Sequence, residues 1–436
     1  MKRKVKIGLI GMGTVGDKVL DLMCRNRSRL ERKVGAGFDI AFVCDKNRSA
    51  LRKIPGNCKA RRTTNWKKVV NDPSVDIVVE VIGGHNPAKQ IVMRSLNNSK
   101  HVVTANKAIL SRDWEEIFTL AGRKQRLIYF EASVLSGVPV IQSLNEGLES
   151  SNISSISGIF NGTCNYILTK MTREGIDFKV ALKDAQKAGL AEPDPRLDIE
   201  GDDTVHKLAI LSSITWNAHV KPDRIYCEGI NNLSRIDVKF AREEFGHRVK
   251  LLGVARWNDG ELELYVRPCL VPDSHPFAWV NDENNAVMLD GDACGRMMFQ
   301  GKGAGGYPAA SAVVSDIMYL SRQVATGVAG KIPYVDYSPD NKIQYMDSSD
   351  FESCYYLRFT AVDKPGVLAK ISSILGKHRV SIAGVYQKGP FGKLKKGVPI
   401  LMFTHRVREG SVRDAMEEID RLKIIVRNSI LMKVEN

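Results

Sequence analysis

At 436 residues the chain is too long for one ordinary domain, and its length alone suggests about three. With 43% hydrophobic and 26% charged residues it has the composition of a globular protein, and no run approaches the ~18 apolar residues needed to span a bilayer, which argues against membrane insertion. The formal charge of +15 is concentrated near the end: 16 Lys and Arg against 8 Asp and Glu lie from Phe351 onward, an excess of 16 − 8 = 8, without the aromatic-interleaved basic stripe of a nucleic-acid binder, so small anionic ligands are the expected partners and nucleic acid is not.

The opening MKRKVKIGLIGMGTVG places basic residues before an apolar stretch. That stretch is short, punctuated by glycine and followed by Asp17 and Lys18 without a small-residue cleavage site, so it reads as structure and not as a signal peptide. Val5 to Ile10 has the pattern of a buried parallel strand, Gly11-Met12-Gly13-Thr14-Val15-Gly16 follows at once, and Val19, Leu20, Leu22 and Met23 continue as a helix. Strand, glycine turn and helix together predict an α/β Rossmann-type nucleotide-binding domain. Gly11 permits the tight turn, Gly13 lets the backbone approach a pyrophosphate, Gly16 allows close packing, and Thr14 and Val15 open the helix whose amino terminus faces the phosphates.

The next strand, Ile40 to Val43, ends at Cys44-Asp45, where the acid can accept hydrogen bonds from the ribose hydroxyls of NAD. Lys46, Arg48, Arg52 and Lys53 follow and suit a 2′-phosphate, so NAD and NADP both stay open. Strands at Asp76 to Ile82 and His101 to Val103 run into Gly83-Gly84 and Thr104-Ala105-Asn106-Lys107. Ligands of doubly wound sheets bind at such strand ends, which places Gly83, Thr104 and Lys107 in the expected crevice. A last strand near Leu127 to Phe130 leads to Glu131 and the turn from Ser133 to Pro139.

From Asn152 the sequence alternates as SSISGIF and then reads Asn161-Gly162-Thr163 before a helix. Ala185 to Lys207 follows, the most charged stretch: a bend at Gly189, a loop from Glu192 to Pro195 stiffened by two prolines, and acids at Asp198, Glu200, Asp202 and Asp203. Val205, Leu208, Ala209 and Leu211 mark a helix that sets Asp203 and Lys207 one turn apart on one face. A carboxylate beside a lysine is the minimum for binding an amino group and moving a proton, although the spacing by itself equally describes a solvated salt bridge. Strands at Val249 to Trp257 and Glu261 to Leu270 are expected to pair through Asn258-Asp259-Gly260, and the glycine-rich run 301–306, with Gly305, precedes a helix from Ala309 to about Gln323 and offers amide donors to a cofactor or a carboxylate. These elements predict an α+β substrate-binding and dimerisation domain.

Beyond a polar linker at Asp336 to Asp350 the pattern is strand (Cys354 to Val362), turn (Asp363 to Gly366), helix (Val367 to Lys377), strand (Val380 to Gln387), a basic hairpin, strand (Ile400 to His405), helix (Ser411 to Leu422) and strand (Ile424 to Met432). That βαββαβ order predicts a small ferredoxin-like sheet with helices on one face.

On these residues the chain resembles homoserine dehydrogenase over essentially its whole length. The most specific match is Ala185, Gly189, Asp194-Pro195, Asp198-Ile199-Glu200-Gly201-Asp202-Asp203 and Lys207, supported by Ala105-Asn106-Lys107, EASVLSGVP, FNGTCNYIL and GAGGYPAA. The resemblance implies NAD(P)-dependent interconversion of L-homoserine and L-aspartate 4-semialdehyde. It implies Lys207 as acid and base, Asp203 as a substrate-binding carboxylate, Glu192 on the homoserine amino group, Asp198 as polar support and Lys107 near the nicotinamide and the reacting oxygen. It also implies a monovalent cation site, Na+ or K+, on the backbone around Glu131, Val134, Ser136 and Val138. The last segment resembles an ACT domain, which implies regulation by L-threonine at the turn from Asp363 to Gly366. Cys44 stands where many members of the family carry arginine, and Lys302 and Ala309 replace the more usual proline and threonine, departures that bear on the cofactor.

A lysine titrates near ~10.4, so exchanging a proton around neutrality requires burial or a neighbouring cation, a role Lys107 would fill beside Lys207. The expected division is residues 1–135 for the cofactor, 136–335 for substrate and dimerisation, 336–350 as linker and 351–436 as the ACT domain, in a homodimer or homotetramer. The eight cysteines are scattered singly without zinc spacing, which suggests reduced thiols and a cytoplasmic protein. Two other readings remain at this level: a different oxidoreductase of the same fold acting through a thiol, for which Cys164 is the candidate, and a non-catalytic amino-acid sensor or regulator.

Overall fold

The computed structural model describes residues 4–55, 58–387 and 397–435. Its chain divides into two compact units, one of Met1–Gly162, Asp203–Ile225 and Glu283–Ile343, the other of Thr163–Asp202, Tyr226–Asp282 and Gln344–Asn436. This cut differs from the linear division above, because the helices that follow Gly201 and Gly305 both belong to the first unit.

The first unit is built on a parallel sheet of β1 (Val5–Ile10), β2 (Phe38–Cys44), β3 (Arg61–Thr63), β4 (Ile77–Glu80), β5 (His101–Thr104) and β6 (Ile128–Tyr129), in the order β3-β2-β1-β4-β5-β6. β4 and β5 are buried along their whole length, as expected of strands covered on both faces. The order reverses at β1, so the crevice of this doubly wound sheet opens beyond Ile10, where Gly11 turns the chain into α1 (Thr14–Arg25). α2 (Lys107–Lys124) leaves the end of β5. β7 (Ile153–Ile159) belongs to the same unit, as does α3 (Asp202–Thr215) except for its first residue. β7 pairs antiparallel with β8 (Asn284–Gly291), which pairs with β9 (Gly295–Lys302). α4 (Gly306–Thr326) packs along α1, and its Ala310, Val313 and Ile317 share one core with Val5, Ile7 and Leu20.

In the second unit the strands His247–Asn258 and Glu261–Pro272 form the expected hairpin. Asp259 (φ 46°) and Gly260 (φ 90°) both take positive φ, as a two-residue turn of right-twisted strands requires. The carboxyl-terminal module has β10 (Glu352–Ala361), β11 (Ile382–Tyr386), β12 (Val398–Thr404) and β13 (Ile425–Val434), ordered β13-β10-β12-β11, with α5 (Val367–Lys377) and α6 (Glu409–Asp420). Tyr355, Leu357, Phe359 and Ala361 alternate along β10 into the core beneath these helices, which is the predicted βαββαβ fold. Most of the expected basic hairpin, residues 388–396, lies outside the described residues. The expected linker carries a short strand, Gln344–Tyr345, paired with Glu261 and Leu262.

Candidate active site

The glycine turn is shaped by contacts that forbid larger residues. Gly11 has φ 109°, and a Cβ there would lie 2.7 Å from Val81 O; a Cβ on Gly16 would lie 1.9 Å from Gly11 O. Gly13 faces open space, and as the N-cap of α1 it supplies no side chain to the first amides of the helix, at Thr14, Val15 and Gly16. Asp45, just past β2, accepts Met12 N through Oδ2 at 2.6 Å and Asn47 N through Oδ1 at 2.7 Å. A backbone cradle with its own acid at the rim fits the pyrophosphate and ribose of a dinucleotide. Gly306 at the start of α4 comes so close to this turn that a Cβ would sit 2.9 Å from Thr14 O, which brings Gly305 to the same crevice. Cys44 itself is buried, and burial together with Asp45 pushes its thiol up to about 12.

Where β4 and β5 end, Thr104 Oγ1 donates to Glu80 Oε2 (2.6 Å), Glu80 Oε1 accepts Ile82 N (2.9 Å), and Asn106 Nδ2 donates to Gly84 O (2.7 Å). These bonds pin the Gly83-Gly84 turn, both glycines at positive φ, to the start of α2. Glu80 is fully buried, and burial raises its carboxyl above the ordinary range. Asn106 caps α2 through Ala108 N, so Lys107 is the first helical residue.

A lysine at a helix amino terminus faces the positive end of the dipole. Asp203 offsets that repulsion. Its Oδ1 lies 2.5 Å from Lys107 Nζ and its Oδ2 lies 2.8 Å from Lys207 Nζ. Lys207 Nζ also donates to Phe160 O (2.7 Å), a carbonyl shared with Asn285 Nδ2 (2.7 Å), and Asn161 Nδ2 donates to Asp203 Oδ2 (2.8 Å). Burial alone would raise the Asp203 carboxyl, but Lys207 and Lys107 outweigh it and hold the group well below the usual carboxylate range. The Lys207 and Asp203 side chains are 10% and 7% exposed, whereas Lys107 is 41% exposed, so the trio is a mostly buried group of net charge +1 with one arm at the surface. A carboxylate therefore stands between the two ammonium groups.

Three family models match the chain: "Homoserine dehydrogenase, NAD binding domain" over residues 11–131, "Homoserine dehydrogenase" over 139–318 and "ACT domain" over 355–423. The homoserine dehydrogenase of Pseudomonas aeruginosa is 37% identical over 439 aligned residues, covering 99% of each chain, and that of Neisseria gonorrhoeae is 37% identical over 437, covering 100% of this chain and 99% of the other. The chain belongs to the homoserine dehydrogenase family. The crystal structure of a homoserine dehydrogenase from Thiobacillus denitrificans aligns with TM-score 0.93 at 38% identity, covering 100% of this chain and 99% of that one. As a homoserine dehydrogenase the protein is an NAD(P)-dependent oxidoreductase that interconverts L-homoserine and L-aspartate 4-semialdehyde.

The remaining residues predicted for a homoserine dehydrogenase site fall in two places. In the first unit, Glu131 is buried and accepts Ile141 N (2.9 Å) and Gln142 N (2.8 Å), while burial pushes its carboxyl up to about 7. Val134, Ser136 and Val138 are buried beside it in sequence; Ser136 takes φ 55°, and its Oγ has no hydrogen-bond partner among the described residues. In the second unit, Gly189 (φ 71°) ends the helix Phe178–Lys187 and its turn, Glu192 is exposed on the following loop, and Asp198 sits on the short helix Arg196–Ile199, its carbonyl accepting Cys164 Sγ at 3.1 Å. Cys164 is fully buried with its thiol bonded to Asp198 O, so this candidate for a thiol-based oxidoreductase is not placed to attack a substrate.

Sequence reasoning missed Glu80, Phe160 O and Asn285. The first passed as one more strand residue, a carbonyl leaves no trace in side-chain identity, and Asn285 lies far along the chain from the lysine whose acceptor it shares. Asn161 was within reach, since it lies in the FNGTC segment that carries part of the family resemblance.

Proposed function

We propose that Lys207 is the acid and base of the reaction and Lys107 its electrostatic partner. The shared Asp203 carboxylate supports this: it holds two ammonium groups at one place, one buried and one reaching solvent. Bound nicotinamide supplies or accepts the hydride. In the reducing direction Lys207 delivers a proton to the aldehyde oxygen as charge develops there, and in the oxidising direction it takes the hydroxyl proton. Lys107 stabilises the same oxygen. Asp203 keeps both ammonium groups pointed at it, Glu192 binds the substrate ammonium and Asp198 braces that loop. Replacing Lys207 by Ala tests the core of this reading: turnover should fall by about 10²-fold or more while titrated cofactor affinity holds, and parental turnover would remove the lysine from the chemistry.

For the cofactor we propose dual use with a preference for NAD. Asp45, already oriented by two backbone amides, suits a ribose diol and repels a 2′-phosphate. Asp45→Ser should shift the ratio of kcat/KM toward NADP; an unchanged ratio would contradict the assignment. For the cation we propose Na+ or K+ beside Glu131 and Ser136, and a melting temperature insensitive to both salts at constant ionic strength would reject it. The functional division at residues 135, 336 and 350 is part of the same reading, as is a cytoplasmic homodimer or homotetramer, which light scattering resolves. For the ACT module we propose L-threonine at the turn opening α5, where Gly366 (φ 85°) leaves the helix without a side-chain cap. Turnover unaffected by threonine would dismiss this effector.

A further inference from the structure

The two lysines stand on different helices, so their separation depends on what holds α2 against α3. At that seam the hydroxyl of Ser111, one turn after Lys107, stands within donating distance of Lys107 O at 2.9 Å. His206, the residue before Lys207, places Nδ1 2.7 Å from the same Ser111 oxygen. A hydroxyl has one hydrogen to give. That hydrogen goes either to Lys107 O, with Nδ1–H donating to Ser111 Oγ, or to a bare Nδ1, and in both tautomers the bond between Ser111 and His206 is kept. His219 adds a second tie, its Nε2 lying 3.1 Å from Ser111 O. Ser111 is 1% exposed and His206 half-buried, so this side-chain bond is a partly buried link between the two helices.

The ion pair between Lys107 and Asp203 does not by itself set that distance. Lys107 is 41% exposed on a flexible stem, and such a side chain follows a displaced carboxylate at little energetic cost. The bond from His206 to Ser111 acts on the backbone turn that carries Lys107, where a shift moves the ammonium as a whole.

We propose that His206 is a positioning residue of the dehydrogenase reaction: through the bond between its Nδ1 and Ser111 Oγ it fixes the first turn of α2 on α3, and so sets where the Lys107 ammonium stands relative to Asp203 and Lys207. This rests on the assignment of the two lysines to the chemistry. A displacement of ~1 Å at such a site is enough to cost ~10²-fold in rate, so a single bond at this seam is of the right size to matter.

Three variants of the full chain test it. In His206→Asn the side-chain amide falls where Nδ1 stands and can still bond the hydroxyl; His206→Phe keeps a ring without a hydrogen-bonding nitrogen; Ser111→Ala removes the hydroxyl. Phe and Ala should lower kcat by about tenfold or more with KM for homoserine and cofactor affinity within about twofold, and Asn should return kcat to within about threefold of the parent. Parental kcat in the Phe variant, or equal losses in Asn and Phe at equal melting temperature, would overturn the proposal. If the Phe variant does not fold, parental kcat in Ser111→Ala overturns it equally. Lys207→Ala assayed alongside separates the two claims: activity there refutes the lysine assignment, whereas loss there with an active Phe variant refutes only the positioning role.

Discussion

Lys207 and Asp203 face each other across one turn of α3, the ammonium nitrogen 2.8 Å from Oδ2, and both are held inside the protein. The same carboxylate reaches Lys107 with its other oxygen. Replacing Asp203 by Asn keeps the shape and removes the charge, leaving two ammonium groups without their counterion. Breaking a buried pair in this way costs about 3 kcal/mol of stability, and the loss of orientation should reduce kcat by about 10²-fold. Denaturant unfolding and steady-state kinetics of the one variant check both, and a variant with parental kcat would show that the carboxylate is merely structural.

Glu192 is exposed in the second unit, on a loop stiffened by Pro193 and Pro195, so its removal should leave the fold intact. Glu192→Ala is expected to raise KM for homoserine by about tenfold while kcat changes little, the pattern of a lost ground-state contact. Unchanged saturation by homoserine would take this residue out of the substrate site.

The glycine turn makes two different demands, and two substitutions separate them. Gly16→Ala drives a Cβ into Gly11 O and should lower the melting temperature together with dinucleotide affinity. Gly13→Ala meets nothing within 4 Å and has φ −76°, so the protein should remain stable while dinucleotide affinity falls by about tenfold from lost approach to the phosphates. Parental affinity in Gly13→Ala would place the cofactor elsewhere.

Lys250 is 2% exposed and donates to Asn165 Oδ1 (3.0 Å) and Val280 O (2.5 Å), without a carboxylate partner among the described residues. Burial, reinforced by Arg248 and Arg173 and opposed by Asp282, lowers its pKa from 10.5 to about 7. The unfolded chain keeps this proton up to its ordinary pKa, and the folded chain gives it up above about 7, so in that window the unfolded state binds more protons and stability rises with pH. Urea midpoints should therefore increase between about pH 7 and pH 9, and Lys250→Met should flatten this part of the profile. Identical slopes in parent and variant would show that the lysine stays charged in the folded protein.

Much of the fold and part of the site are legible in the order of residues. The turn from Gly11 to Gly16, the paired face of Asp203 and Lys207 and the hairpin at Asp259-Gly260 all follow from spacings of a few residues, because backbone sterics and helical periodicity act over that range. The grouping of α4 with the first sheet is not legible there, since a long amphipathic helix can bury its face against any apolar surface. Asp203 shows the limit within a single residue: its pairing with Lys207 is local and readable, whereas its pairing with Lys107 is not.

The sequence by itself determined the dinucleotide turn, the order of elements and the pairing of Asp203 with Lys207 along one helix face, since these are set by bonds and sterics between near neighbours. Tertiary structure alone decided that one carboxylate serves two lysines, that Phe160 O is shared by Lys207 and Asn285, and that Ser111 meets His206 between α2 and α3. Each of those contacts is a hydrogen bond between groups remote along the chain, and its partners are chosen only when packing brings the backbones to within about 3 Å of where the bond can form.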